Sequence, residues 1–153
     1  MTGTVNPSQL DSPARTESVS LLLVEDSDND AELIASSARQ LSYDIEIQRF
    51  VTADGAIAGL EVGLPVPPRG VLLDLYLPGG GGLDVLRAIR GNVQTRNMRV
   101  VVMTSSISTR DREAAELLGV MGYLRKPSDY TLFVEAVAIA LRLILVANHT
   151  NSD

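Results

Sequence analysis

SLLLVED, residues 20–26, passes directly from apolar side chains to two carboxylates, Glu25 and Asp26. A run such as LLLV has no polar face, which fits a parallel strand covered by helices on both sides better than a half-exposed antiparallel one. Two similar runs follow: GVLLD (70–74) ends on Asp74, and RVVVMT (99–104) ends on Thr104. Working outward from these, helix-like stretches at 31–41, 53–62, 83–90, 109–118 and 129–146 alternate with the strands and with two further strand patterns, IEIQRF and GYLR. Five β/α units predict an α/β fold with a doubly wound, five-stranded parallel sheet.

The chain has 153 residues and 45% hydrophobic content, enough for one buried core and too little for two ordinary domains. Residues 1–18, rich in Ser, Thr and Pro, read as a disordered tail, 19–147 as the domain, and 148–153 as a short polar tail. Thirteen basic against nineteen acidic residues give a net charge of −6, which disfavours nucleic acid and anionic membrane surfaces as partners. There is no cysteine, hence no disulfide, thiolate metal site or thiol nucleophile. Neither a secretory signal nor a spanning apolar run is evident, so a cytoplasmic location is expected.

In a sheet of this kind, function gathers at the carboxyl ends of the strands. Strand one runs into Glu25 and Asp26, strand three into Asp74, strand four into Thr104 and strand five into Lys126. Helix capping or simple solvation explains any one of these residues alone. Five such residues at corresponding ends are much harder to explain that way. Crowded carboxylates repel one another unless a cation binds, and hard oxygen donors suit Mg²⁺. A carboxylate at Asp74 can then attack phosphorus to give an acyl phosphate, with the Lys126 ammonium offsetting charge on the phosphoryl oxygens and the Thr104 hydroxyl donating to one of them.

The blocks LLLVEDSDND, LLDLYLPGGGGLDVL, VVMTSS and GYLRKP resemble the four signature blocks of response-regulator receiver domains, over roughly residues 19–147. The resemblance extends to spacing, with thirty residues from Asp74 to Thr104 and twenty-two more to Lys126. It implies a flavodoxin-like three-layer sandwich with strand order 2-1-3-4-5, of the chemotaxis-receiver or phytochrome-associated type. It also implies metal binding at Glu25, Asp26, Asp74 and the backbone carbonyl of Tyr76, a phosphoacceptor at Asp74, a switch hydroxyl at Thr104, a phosphate-contacting Lys126 and a signalling aromatic at Tyr123. Before Pro127 it implies a cis peptide bond that turns the lysine toward the phosphate. The segment PGGGGL departs from the family's usual residues, with Gly82 at the family's glycine position and Gly79 to Gly81 loosening the loop. No Lys-Ser/Thr pair follows these glycines, so they make a poor nucleotide loop. Tyr76 and Ser106 occupy variable positions that influence phosphoryl lifetime in the family.

The expected protein is a stand-alone response regulator of a two-component phosphorelay, which signals by conformational change. It is not an enzyme with a separate substrate, but catalyses its own phosphorylation and dephosphorylation. Its phosphoryl group would come from a sensor histidine kinase, of which a phytochrome-type photoreceptor is one candidate, or from a histidine phosphotransfer protein. The single histidine, His149, reads as a solvated tail residue. Two alternatives stay open, a phosphorylation-independent docking module and a flavodoxin-like electron carrier. The last helix is apolar beyond one core-facing stripe. Phe133, Val137, Ala140, Leu141 and Ile144 are expected to face the sheet, leaving Leu132, Ala136, Ile139 and Leu143 as a second row for a homodimer contact.

Overall fold

The computed structural model describes residues 18–41 and 43–146. The expected tails at 1–17 and 148–153, His149 included, lie outside the described residues, whereas Ser18, expected in the tail, opens the first strand. The elements are β1 (Ser18–Val24), α1 (Asp28–Arg39), β2 (Asp44–Phe50), α2 (Ala53–Val62), β3 (Gly70–Leu73), α3 (Gly82–Gly91), β4 (Arg99–Thr104), α4 (Thr109–Leu117), β5 (Gly122–Arg125) and α5 (Tyr130–Leu145). The sheet is parallel throughout, as the apolar runs predicted, and has the order β2-β1-β3-β4-β5 that the family resemblance implied.

The unbroken apolar runs divide between two cores. Leu21 and Leu23 of β1 pack with Ile34 of α1 and with Phe133, Val137 and Ile144 of α5. Their neighbours Leu22 and Val24 join Leu60, Val85, Leu86 and Ala115 of the other three helices. Period-two alternation therefore buries every residue of LLLV, each worth roughly 1.5–3 kcal/mol of transfer free energy.

Side-chain caps start the helices close to the strand ends. Ser27, Thr52, Ser108 and Asp129 each accept a backbone N–H from the first turn of the helix that follows. Helix α1 accordingly begins at Asp28, ahead of the apolar periodicity, which marks only its buried positions Ala31, Ile34 and Ala38.

Two expectations are corrected. No peptide bond among the described residues is cis, so the Lys126–Pro127 bond is trans. Trans is the intrinsically favoured isomer by about 0.5–1 kcal/mol. From that backbone the Lys126 N–H donates to the Thr104 carbonyl at 2.8 Å, and the ammonium still reaches the carboxylates at the strand ends. The second correction concerns Ala136, which is buried in the core with Ala31 and Ala38 of α1 rather than lying in an exposed row. Its small side chain fits the contact that α1 makes with α5. Leu132 and Ile139 do remain half exposed, at 52% and 48%, while Leu143 is partly buried against the core. No helix among the described residues is long and apolar enough to cross a membrane.

Candidate phosphoacceptor site

Backbone bonds that continue the sheet past its strands fix the acidic residues at the carboxyl edge. The Glu25 N–H donates to the Phe50 carbonyl and the Asp74 N–H to the Val24 carbonyl, both at 3.0 Å. Glu25 and Asp74 are almost fully buried, at 2% and 4% exposure, and Asp26 is exposed. One carboxylate oxygen from each of the three lies within 4.8 Å of the others. This all-oxygen donor set, open to solvent on the Asp26 side, fits a hard divalent cation such as Mg²⁺.

Neighbouring backbone orients the two buried carboxylates. Asp74 Oδ1 accepts from the Tyr76 N–H at 2.8 Å, and Glu25 Oε2 accepts from the Ser27 N–H at 3.1 Å. Lys126 takes the other oxygens: its Nζ lies 2.7 Å from Glu25 Oε1, 2.8 Å from Asp74 Oδ2 and 2.8 Å from Asp30 Oδ2. Burial alone favours the neutral amine, yet hydrogen bonds to Asp30, Asp74 and Glu25 outweigh it and raise the Lys126 pKa. For Glu25 the balance is opposite, since burial outweighs Lys126 and the Ser27 N–H and pushes its pKa up.

Thr104, wholly buried at the end of β4, accepts the Ser106 N–H at 3.2 Å. The Ser106 hydroxyl in turn donates to Asp111 Oδ2 and accepts the Ser108 N–H, both at 3.2 Å. Tyr123 sits behind this loop with its hydroxyl buried and outside hydrogen-bonding geometry with any described residue. Burial first, then the Asp111 carboxylate, raises its pKa. The Arg112 guanidinium lies 5.5 Å from the ring centre. Tyr76 projects into solvent at the mouth of the site, beside an open groove lined by Gly79 to Gly82, Asp84, Arg87 and Asp111.

The structure thus brings Glu25, Asp26, Asp74 and Lys126 together, with Thr104 at the same edge of the sheet and Tyr123 further back. Sequence reading missed Asp30, Arg49 and Asp111. Asp30 carried a usable signal, because Ser27-x-x-Asp30 is a capping-box spacing that puts Asp30 in the first turn of α1. Its carboxylate, however, meets Lys126. Arg49 donates from Nε to the Glu25 carbonyl at 3.0 Å and pairs with Asp28 at 2.9 Å, a contact between chain segments that no local pattern announces.

Comparison with known proteins agrees with this geometry. The family model of the response regulator receiver domain matches residues 21–138. Response regulator ArlR of Staphylococcus saprophyticus is 33% identical over 122 residues, which are 80% of this chain and 52% of that protein. The acid tolerance regulatory protein ActR of Rhizobium meliloti is 32% identical over 110 residues, 72% of this chain and 53% of its own length. This chain therefore spans about half the length of these curated relatives. Among solved structures, the Mn²⁺-bound form of response regulator Rcp1 superposes with a TM-score of 0.76 at 30% identity, covering 85% of this chain and 97% of that one. The phosphorylated cyanobacterial phytochrome response regulator RcpA gives 0.76 at 27% identity, covering 85% and 96%. The chain belongs to the response-regulator receiver-domain family.

Proposed function

We propose that this protein is the phosphoacceptor of a two-component pathway, taking a phosphoryl group from a phosphohistidine onto Asp74 and signalling through the resulting change of shape. The observation that carries the reading is the buried Asp74 carboxylate, held by Lys126 and the Tyr76 N–H beside Glu25 and Asp26. In this reading Asp74 forms the new P–O bond as the P–N bond of the donor breaks. Lys126 offsets charge on the phosphoryl oxygens. Glu25, Asp26, Asp74 and the carbonyl of Tyr76 would hold Mg²⁺, which when bound neutralises the crowded oxygens and polarises the transferring group. The Thr104 hydroxyl then gives the new group a hydrogen bond, drawing the Ser106 loop and Tyr123 with it. The same site would return the group to water, so the protein catalyses both its phosphorylation and its dephosphorylation.

The donor is a sensor histidine kinase or a histidine phosphotransfer protein. RcpA, a cyanobacterial phytochrome response regulator, makes a phytochrome-type kinase one candidate. A cytoplasmic location and a homodimer through α5 complete the proposal. Incubation with acetyl phosphate and Mg²⁺ tests it: intact-mass analysis should show a single base-labile phosphoryl group, absent from Asp74→Asn and strongly reduced in chelator. Equal labelling of Asp74→Asn would remove the central claim, and no labelling at all would favour a phosphorylation-independent docking role.

A further inference from the structure

An ammonium has three protons to donate, and the three carboxylates on Lys126, at 2.7, 2.8 and 2.8 Å, are enough to use all of them. Two of these partners, Glu25 and Asp74, also supply oxygens to the group that converges for a cation. Asp30 is not in that group. A divalent cation and the Lys126 ammonium therefore compete for the same two carboxylates, and like charges at such separations repel strongly when water is largely excluded. The resting arrangement would oppose metal entry unless the ammonium had another anion to hold it.

Asp30 has the position for that task. The first turn of α1 fixes its backbone, since its N–H donates to the Ser27 hydroxyl at 3.1 Å, while the Ser27 N–H binds the far oxygen of Glu25. Its side chain is partly exposed, at 21%, so its charge is less costly to hold than the buried charges of Glu25 and Asp74. We infer that Asp30 is a positioning residue that retains Lys126 when Glu25 and Asp74 turn to the metal, and so sets the metal affinity of the site. The inference rests on the metal-assisted reading proposed above. Asp28, in the same turn of the helix, provides an internal control because its carboxylate is exposed and paired with Arg49 rather than with Lys126.

Titration calorimetry of the full chain with Mg²⁺ is the test. Asp30→Asn should weaken binding about tenfold, the low end of what loss of a partner behind a metal ligand usually costs. Asp28→Asn, which removes the same charge nearby, should change it by less than about twofold. Asp30→Glu should recover most of the affinity, and in a Lys126→Met background Asp30→Asn should do no more than Asp28→Asn. The ¹⁵N resonance of the Lys126 ammonium gives a second readout, staying in its hydrogen-bonded position on Mg²⁺ addition in the wild type and leaving it in Asp30→Asn. Equal effects of the two Asn variants, or an Asp30 effect that persists without Lys126, would reduce Asp30 to background charge and overturn the inference. A wild type with no Mg²⁺ affinity would overturn the metal-assisted reading itself, and this inference with it.

Discussion

Lys126 is the residue on which the charge balance of the site turns. Its raised pKa means that its stabilising contribution is fully present below its ordinary value of 10.5 and is lost only as pH rises through the higher folded value. Removing it leaves Glu25 and Asp74 buried without a counter-charge, and Glu25 is already pushed up by burial. A carboxyl whose folded pKa is raised contributes stability present below its ordinary value of 4.5 and lost as pH rises through the folded value. In chelator, Lys126→Met should therefore lose about 3–5 kcal/mol at pH 7, the usual cost of orphaning a buried charge, and less at pH 4.5, the ordinary value of the Glu25 carboxyl. Urea unfolding followed by circular dichroism measures both. The same loss at the two pH values would assign the role of Lys126 to packing rather than charge.

Between elements, Arg90 ties the last turn of α3 to two loops. Its guanidinium donates to the carbonyls of Leu118 (2.7 Å), Arg96 (3.0 Å), Met98 (2.7 Å) and Gly119 (3.0 Å). A lysine has no planar fork to reach so many acceptors. Arg90→Lys should cost about 1.5–3 kcal/mol in denaturant titration, with faster amide exchange in the turn after α4; an unchanged midpoint would show these bonds to be incidental. The glycine segment ahead of α3 differs position by position. A Cβ on Gly82 would overlap the backbone of Leu75, next to Asp74, whereas one on Gly79 would meet open space and face only its positive φ of 79°. Gly82→Ala should therefore slow acetyl-phosphate labelling of Asp74, and Gly79→Ala should leave the rate near wild type at a stability cost of about 1–2 kcal/mol. Equal rates for the two would separate the Leu75 backbone from the site.

For the molecule as a whole, α5 leaves a face that its own core does not cover. Leu132, Ile139 and Val146, spaced seven residues apart along one side of this helix and just beyond its end, are exposed large apolar residues. Burial of such side chains against a second copy gains up to roughly 1.5–3 kcal/mol each before association costs, and a two-fold contact is the commonest arrangement for identical chains. Ala136 no longer belongs to that contact, since the core holds it. Sedimentation at micromolar concentration should give a dimer, and Leu132→Glu with Ile139→Glu a folded monomer. A wild type that stays monomeric at high concentration ends the dimer proposal.

The sequence by itself determined the fold class and named the main residues that meet at the candidate site, because both are written in local patterns. Apolar runs too long for a half-exposed strand require helices on both faces, and parallel strands that each end on a polar residue deliver those residues to one edge. What local patterns do not encode is which side chains meet across that edge. Asp30 falls inside the block LLLVEDSDND and Arg49 inside the strand pattern IEIQRF, neither singled out for the site by a local pattern, yet Asp30 meets Lys126, ninety-six positions away, and Arg49 the backbone of Glu25. The trans bond before Pro127 and the burial of Ala136 were likewise settled only in the tertiary structure. Proline allows either isomer at small cost, so the surrounding contacts decide, and helical periodicity places Ala136 on a boundary that the close approach of α1 turns into core.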